Sequence, residues 1–182
     1  MIKAGQLQNA IVARAFPKPP SKFRHLVAEE TGKSTDEAIA RLIDKLDALR
    51  TQRRAIRRRD PSLGAGVPTS EEYADALRSL SPGPKMLTIL HDHAILSARG
   101  MTVRELAKTG EFASPKDLLS AYEKLGMQLF NEIEPSEDLK AGLNIVLHVP
   151  EDKMLEDNDF AVLQPELRDA VVQLMGSDRL QR

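Results

Sequence analysis

The segment that decides the fold is "TVRELAKTGEFASPKDLLSAYEKLG", residues 102–126. Thr102 suits a helix N-cap, with Glu105 three residues on, and Ser114 repeats the arrangement with Pro115 at the first helical position. Each predicted helix has one apolar side, formed by Val103, Leu106 and Ala107 in the first and by Leu118, Tyr122 and Leu125 in the second. The segment predicts a short helix, a tight turn at "EFA" and a longer helix that stops at Gly126.

The flanking segments extend this pattern into a domain. "PKMLTILHDHAIL" predicts a preceding helix, and "QPELRDAVVQLMG" predicts a last one. Between them, "LNIVLHV" and "DFAVL" alternate in the manner of two short strands. Helix, short helix, turn, longer helix and hairpin is the order of a winged helix-turn-helix, so residues 67–182 are predicted to form such a domain in a mainly α protein with a small two-stranded β-hairpin.

Three short stretches also carry a family resemblance. "TVRELA" and "KLG" at 124–126 are similar to the helix-turn-helix accessory module found with bacterial HNH endonucleases, and "VLQPEL" at 162–167 is similar to its "VLRPEL" segment. The resemblance covers residues 84–176, about half of the chain. It implies a DNA-facing domain without catalysis, because no HNH nuclease motif is present, and Gln164 replaces a basic residue of the module.

Residues 1–66 are expected to form a basic helical region. Residues 1–33 predict irregular chain with short helices at "AIVARAF" and "SKFRHLVAEETG", and "PSLGAGVPTS" at 61–70 predicts a linker. Helix 35–59 is the clearest element, with cap-type residues before it and acids in its first turn. Its apolar residues follow a coiled-coil rhythm, which leaves two alternatives open: packing on its own domain, or a homodimer through Ile39, Leu42, Leu46 and Leu49.

Charge is distributed unevenly along the chain. Residues 1–60 carry 14 Lys+Arg against 7 Asp+Glu, whereas residues 131–182 carry 5 against 12. Six of these 14 basic residues are arginines within residues 50–59, at the end of helix 35–59, and residues 48–59 contain no carboxylate. Such a run predicts contact with phosphate, and two alternatives remain, docking on the acidic region and simple solvation. The predicted phosphate contacts are Arg50, Arg53, Arg54, Arg57, Arg58 and Arg59.

The predicted helix-turn-helix supplies a second set of DNA contacts. The N-terminal part of its longer helix would enter the major groove. The candidate groove residues are Ser114, Lys116, Ser120 and Lys124, with Arg104 and Lys108 near phosphate. Together these features predict a DNA-binding regulator in which arginines give affinity and the helix gives register.

The acidic segment 150–159 supports a different hypothesis. As a wing it would direct negative charge towards phosphate, so it could instead bind a basic protein partner. The protein would then be an interaction module, such as an inhibitor, a toxin-system component or a phage-encoded adaptor. The residues of this surface are Glu151, Asp152, Glu156, Asp157 and Asp159.

Other functional classes find no support in the sequence. The absence of cysteine excludes disulfides, thiolate metal sites and a cysteine nucleophile. "TGKST" at 31–35 lacks the first glycine of a phosphate loop. His91 and His93 point to different sides of a helix and predict a solvated or lightly packed face rather than a metal site. We expect no enzyme activity and no cofactor, and without an apolar span or signal-type core we expect a cytoplasmic protein without a membrane contact.

Overall fold

The computed structural model describes residues 1–16, 26–96, 101–133, 139–149 and 153–179, with only the backbone of 177–179. Internal contacts divide the chain into two units, Met1–Ile56 and Arg57–Arg182. The division precedes the segment whose composition predicts a linker. The predicted domains 1–66 and 67–182 are therefore displaced from these units by residues 57–66.

The first unit is a three-stranded antiparallel sheet with one long helix packed on one face. Strands β1 (Ile2–Leu7), β2 (Ala10–Ala15) and β3 (Ala28–Gly32) lie in chain order, followed by helix α1 (Thr35–Ala55). Ser34 caps α1, since its hydroxyl accepts a hydrogen bond from the Glu37 amide at 3.1 Å. The core consists of four alanines, which let the helix lie close to the sheet, and one larger residue: Ala13, Ala15, Ala28, Ala38 and Leu42.

The helical expectation for residues 1–33 is wrong where the structure describes them. "AIVARAF" supplies β2 and the end of "SKFRHLVAEETG" supplies β3, whereas residues 17–25 lie outside the described ranges. The β1–β2 turn contains Gln8 at φ 55, a left-handed conformation that glycine or asparagine usually adopts. Val12 and its neighbour Ala13 are both buried, although adjacent residues of a strand point to opposite faces of the sheet. The strand β2 therefore lacks the alternation of apolar and polar residues that marks a half-buried strand.

Helix α1 packs on its own sheet, which is one of the two predicted alternatives. Leu42 is fully buried there, and Ile39 and Leu46 pack against the same core. Leu42 therefore cannot serve in the predicted coiled-coil dimer without leaving the sheet, while Leu49 is exposed. The helix also ends at Ala55, four residues before the predicted end at 59, because the following residues turn into a strand.

The second unit is largely helical in its described residues. Its core forms around the six residues predicted to face inward from the central helix pair, all of which are buried. This agrees with the mainly α part of the fold prediction. The helices are α2 (Ser70–Leu80), α3 (Pro84–Leu96), α4 (Val103–Thr109), α5 (Pro115–Ile133), α6 (Leu143–Val146) and α7 (Pro165–Arg179).

Local capping explains where α4 begins. The Thr102 hydroxyl accepts from the Glu105 amide at 3.2 Å, and the Glu105 carboxylate accepts from the Thr102 amide at 2.8 Å. The predicted stop of α5 at Gly126 is wrong, because the helix continues to Ile133. Gly126 has another role: a Cβ there would lie 1.9 Å from the carbonyl oxygen of Gly142, so only glycine lets α5 pack against the chain before α6.

The predicted linker is part of the second unit. Strands β4 (Arg58–Asp60) and β5 (Ala65–Val67) form an antiparallel hairpin, and Leu63, Ala65 and Val67 are buried in the core. Gly64 adopts φ 63 in the connecting turn. The proline and glycines at 61–66 therefore form a hairpin turn rather than a flexible connection.

The predicted wing hairpin is replaced by other pairings. "LNIVLHV" contains the single-turn helix α6, followed by an isolated bridge from Leu147 to Leu163. Strand β7 (Phe160–Ala161) pairs with β6 (Met101–Thr102), directly before α4. Residues 143–149 fail to form a strand because Ile145 and Val146 are both buried, a pattern of burial that suits a helical turn in the core rather than a two-sided strand.

Candidate nucleic-acid interface

The last two turns of α1 form the basic surface of the first unit. Arg50, Arg53 and Arg54 are exposed there, and the nearest preceding acid, Asp47, lies 3.3 Å from Arg50. Both side chains of this pair are largely exposed, 63% and 62%, so water screens their attraction. The C-terminal end of a helix dipole also favours these cations. Because its three side chains are exposed, this cluster is accessible to an anion.

Arg57 has a different environment from the arginines before it. Its side chain is only 4% exposed and forms a two-pronged ion pair with Glu72. Nε lies 3.0 Å from Oε2, and Nη2 lies 2.7 Å from Oε1. The same Glu72 carboxylate accepts from the Thr69 amide and completes the cap of α2. Arg57 therefore holds the β4 hairpin to α2 and cannot contact phosphate while the unit is folded.

Arg58 joins a second group of buried or partly buried carboxylates. Its guanidinium lies 2.8 Å from Asp60 and 2.7 Å from Glu166 on α7. Hydrogen bonds to Glu166 and Asp60 raise the pKa of Arg58. His148 Nδ1 lies 3.4 Å from Asp60. These contacts connect β4 to α7 and account for Arg58 without an external anion.

Asp60 is a buried carboxylate whose role was not predicted from the sequence. Burial raises the pKa of Asp60, but hydrogen bonds from Ser62 and Arg58 outweigh it and hold the pKa at about 2, below its usual 3.8. The Ser62 amide donates to Asp60 Oδ1 at 2.9 Å, which is an Asx turn. The sequence signal for this turn is "DPS", Asp60 to Ser62.

The arginine run is therefore not one surface. Arg50, Arg53 and Arg54 belong to α1, whereas Arg57 and Arg58 are ion-paired inside the second unit. Arg59 is exposed on β4. The prediction of a single helix that carries all six arginines is wrong, because α1 ends at Ala55 and strand β4 begins at Arg58.

The α4–α5 pair presents a mixed surface. The predicted contacts Lys108, Lys116, Ser120 and Lys124 are exposed, but so are the acids Asp117 and Glu123. Ser114 caps α5, since its hydroxyl accepts from the Asp117 amide at 3.2 Å and donates to the Asp117 carboxylate at 2.7 Å. The turn before it contains Glu111 at φ 51. This surface offers side chains that can form hydrogen bonds, but it does not concentrate positive charge.

The acidic segment packs against the start of α4. The Arg104 guanidinium lies 3.1 Å from Asp157, and the Arg104 amide donates to the Asp157 carbonyl at 2.9 Å. Asp159 accepts from Lys153 at 3.0 Å and from the Glu156 amide at 2.9 Å. Two members of the predicted protein-binding surface, Glu151 and Asp152, lie outside the described residues. Arg104 is thus occupied by the segment that was expected to act separately from it.

His93 is buried, which corrects the expectation of a solvated or lightly packed face. Its ring is fully enclosed and lies 3.2 Å from the Tyr122 hydroxyl and 3.1 Å from the Ala161 carbonyl. Burial lowers the pKa of His93, so the neutral ring joins α3 to α5 and β7. In the described ranges, no three His, Asp or Glu side chains converge to hold a metal ion.

Each unit has its own charge balance. The first carries 11 Lys+Arg against 6 Asp+Glu, and the second carries 15 against 21.

None of the described helices has both the length and the apolar character needed to cross a bilayer. Comparisons with protein-family models, curated proteins and solved structures find no match for this chain.

Proposed function

We propose that the protein binds duplex DNA, with the first unit supplying most of the affinity. The observation that carries the proposal is the separation of charge between the units: the first has a net charge of +5 and the second of −6. Phosphate contacts dominate protein–DNA affinity and are made by exposed Lys and Arg. The exposed arginines at the end of α1 meet this requirement, whereas the side chain of Arg57 is buried in the second unit.

The α4–α5 pair would supply register rather than affinity. A helix-turn-helix places the start of its second helix in the major groove, where short polar side chains and lysines can reach base edges. Ser120, Lys116 and Lys124 are exposed on α5 in support of this role. Asp117 and Glu123 lie among them, so contacts from this helix would discriminate between positions without adding much net attraction.

Fluorescence anisotropy with a labelled duplex at low salt tests the proposal. The wild-type chain is expected to bind, and Arg50→Ala/Arg53→Ala/Arg54→Ala is expected to weaken binding about tenfold or more. The control is Arg78→Ala/Arg168→Ala, which removes two cations of the second unit that pair with the neighbouring acids Asp75 and Asp169. Unchanged binding by the control is expected. Absence of wild-type binding at low salt would refute the proposal.

A second candidate function rests on the surface around β7. Phe160 and Met154 are 63% and 89% exposed, and Val162 is also exposed, close in sequence to Glu156 and Asp157. Apolar side chains among acids suit a basic protein partner better than phosphate. If the duplex assay is negative, a pull-down comparing wild type with Phe160→Ser/Met154→Ser tests this candidate, and equal recovery of partners by both chains would exclude this surface.

A further inference from the structure

The two edges of the sheet in the first unit differ in the side chains that cover their backbone groups. The outer edge of β3 is covered by cationic side chains from α1: Lys45 Nζ donates to the Glu29 carbonyl at 3.1 Å, and Arg41 Nη1 donates to the Thr31 carbonyl at 3.4 Å. These are backbone acceptors that would otherwise pair with another strand. Charged side chains at an edge are a common way to prevent such pairing.

On the outer edge of β1, no side chain among the described residues bonds to a backbone group, and the strand carries a single charged residue, Lys3. All six residues of β1 are exposed. The strand contains no proline, and its pairing with β2 is continuous from Ile2 to Leu7, without a bulge. A regular edge of this length, with no side chain bonded to its outward backbone groups, is a template for one more strand.

The hydrogen-bond pattern determines which residues can pair outward. Met1 and Phe16 exchange both hydrogen bonds, at 2.7 and 2.8 Å. Alternate residues of an antiparallel strand share the same direction, so the backbone groups of Lys3, Gly5 and Leu7 also point to β2. The groups that face outward are therefore those of Ile2, Ala4 and Gln6.

We propose that β1 pairs antiparallel with β1 of a second copy of this chain, with Ala4 on the two-fold axis. This register is set by the outward residues, because Ile2 then pairs with Gln6 of the other copy and Ala4 pairs with Ala4. The result is an isologous interface and a continuous six-stranded sheet with both α1 helices on one face. It is a different surface from the predicted α1 seam, in which Leu42 is buried against the sheet, and it does not depend on DNA binding.

The side chains fit this register on both faces. On the face towards α1, the axis carries only the small methyl groups of Ala4, which lets the strands approach. On the other face, Lys3 lies opposite Gly5, so the two lysines of the dimer do not oppose each other. Met1 lies opposite Leu7, and these side chains, 48% and 46% exposed in one chain, would cover each other.

Sedimentation equilibrium of the full chain, with charge-swap variants at Ala4, tests this register. The wild type is expected to dimerise. Ala4→Lys and Ala4→Glu each place like charges on the axis and are expected to weaken dimerisation about fivefold or more, and their equimolar mixture is expected to restore it. Thr31→Lys, which adds the same charge at the guarded β3 edge, is the matched control and is expected to dimerise normally.

Several results would overturn the proposal. These are a monomeric wild type at micromolar concentration, an Ala4→Lys variant that dimerises like wild type, or a mixture of the two Ala4 variants that does not pair. Circular dichroism checks that the variants fold. If they do not, amide hydrogen exchange of the wild type decides: slow exchange at Ile2, Ala4 and Gln6 that increases on dilution supports the edge pairing, and rapid exchange at all concentrations refutes it.

Discussion

Arg54 and Arg57 have the same side chain and lie three residues apart, yet their environments are opposite. Arg54 is exposed on the last turn of α1, whereas Arg57 is buried against Glu72 in the second unit. The burial of Arg57 follows from its ion pair with Glu72. Glu72 is already fixed by its capping role at the start of α2, so a cation that reaches it is drawn out of solvent.

The charge that a basic run presents depends on the environment of each of its residues. A count of arginines gives the charge available in the unfolded chain, whereas the folded chain offers only the charges that its own carboxylates leave exposed. Here the run divides at Ile56, with the exposed cluster before it and two structural ion pairs after it. The affinity for an anion and the stability of the fold should therefore be separable by mutation.

The largest expected effect on stability is that of Arg57→Met. The substitution leaves the Glu72 carboxylate buried without its guanidinium, and breaking a buried pair on one side costs about 3–5 kcal/mol. Urea denaturation followed by circular dichroism measures the decrease in free energy of unfolding. Arg54→Met is the control, with an expected change under about 1 kcal/mol. Equal decreases for the two variants would contradict the division at Ile56.

A smaller, pH-dependent effect is expected at Asp60. Its folded pKa is about 2, below the ordinary value of 3.8, so its contribution is present above pH 4 and is lost as the pH falls towards 2. Asp60→Asn should lower the free energy of unfolding at neutral pH by about 2 kcal/mol, and the gap to wild type should close between pH 4 and pH 2. Urea denaturation at a series of pH values measures it. If the difference in free energy of unfolding between the two chains stays constant over this range, the ionisation of Asp60 contributes nothing to stability.

The smallest expected effect on stability is that of Arg50→Ala. The Arg50–Asp47 pair is exposed on both sides, and such pairs contribute at most about 0.5 kcal/mol. Thermal denaturation should therefore give nearly the same midpoint for the variant and wild type. A decrease comparable with that of Arg57→Met would mean that the exposed cluster also supports the fold.

Local signals predicted where α1, α4 and α5 begin. Ser34, Thr102 and Ser114 each cap the helix that follows them, because a cap depends only on residues within one turn. The apolar stripes of α4 and α5 were found for the same reason, since each stripe follows from the helical period.

Features that depend on distant residues were not predictable in the same way. The β1–β3 sheet requires a turn at Gln8, whose left-handed conformation has no glycine to mark it. The pairing of Arg58 with Glu166 joins residues 108 positions apart. The "LNIVLHV" segment alternates like a strand, but burial on all sides at Ile145 and Val146 selects a helical turn.

The dependence of duplex affinity on salt tests the central claim most directly. If the exposed arginines of α1 bind phosphate, Arg50→Ala/Arg53→Ala/Arg54→Ala should reduce the slope of log affinity against log salt by about two to three, because each neutralised phosphate contributes about 0.9 to that slope. The variant should keep the wild-type free energy of unfolding. A wild-type slope in the triple variant, or a slope that changes only when the protein unfolds, would contradict the claim that these three residues form the phosphate-binding part of the run.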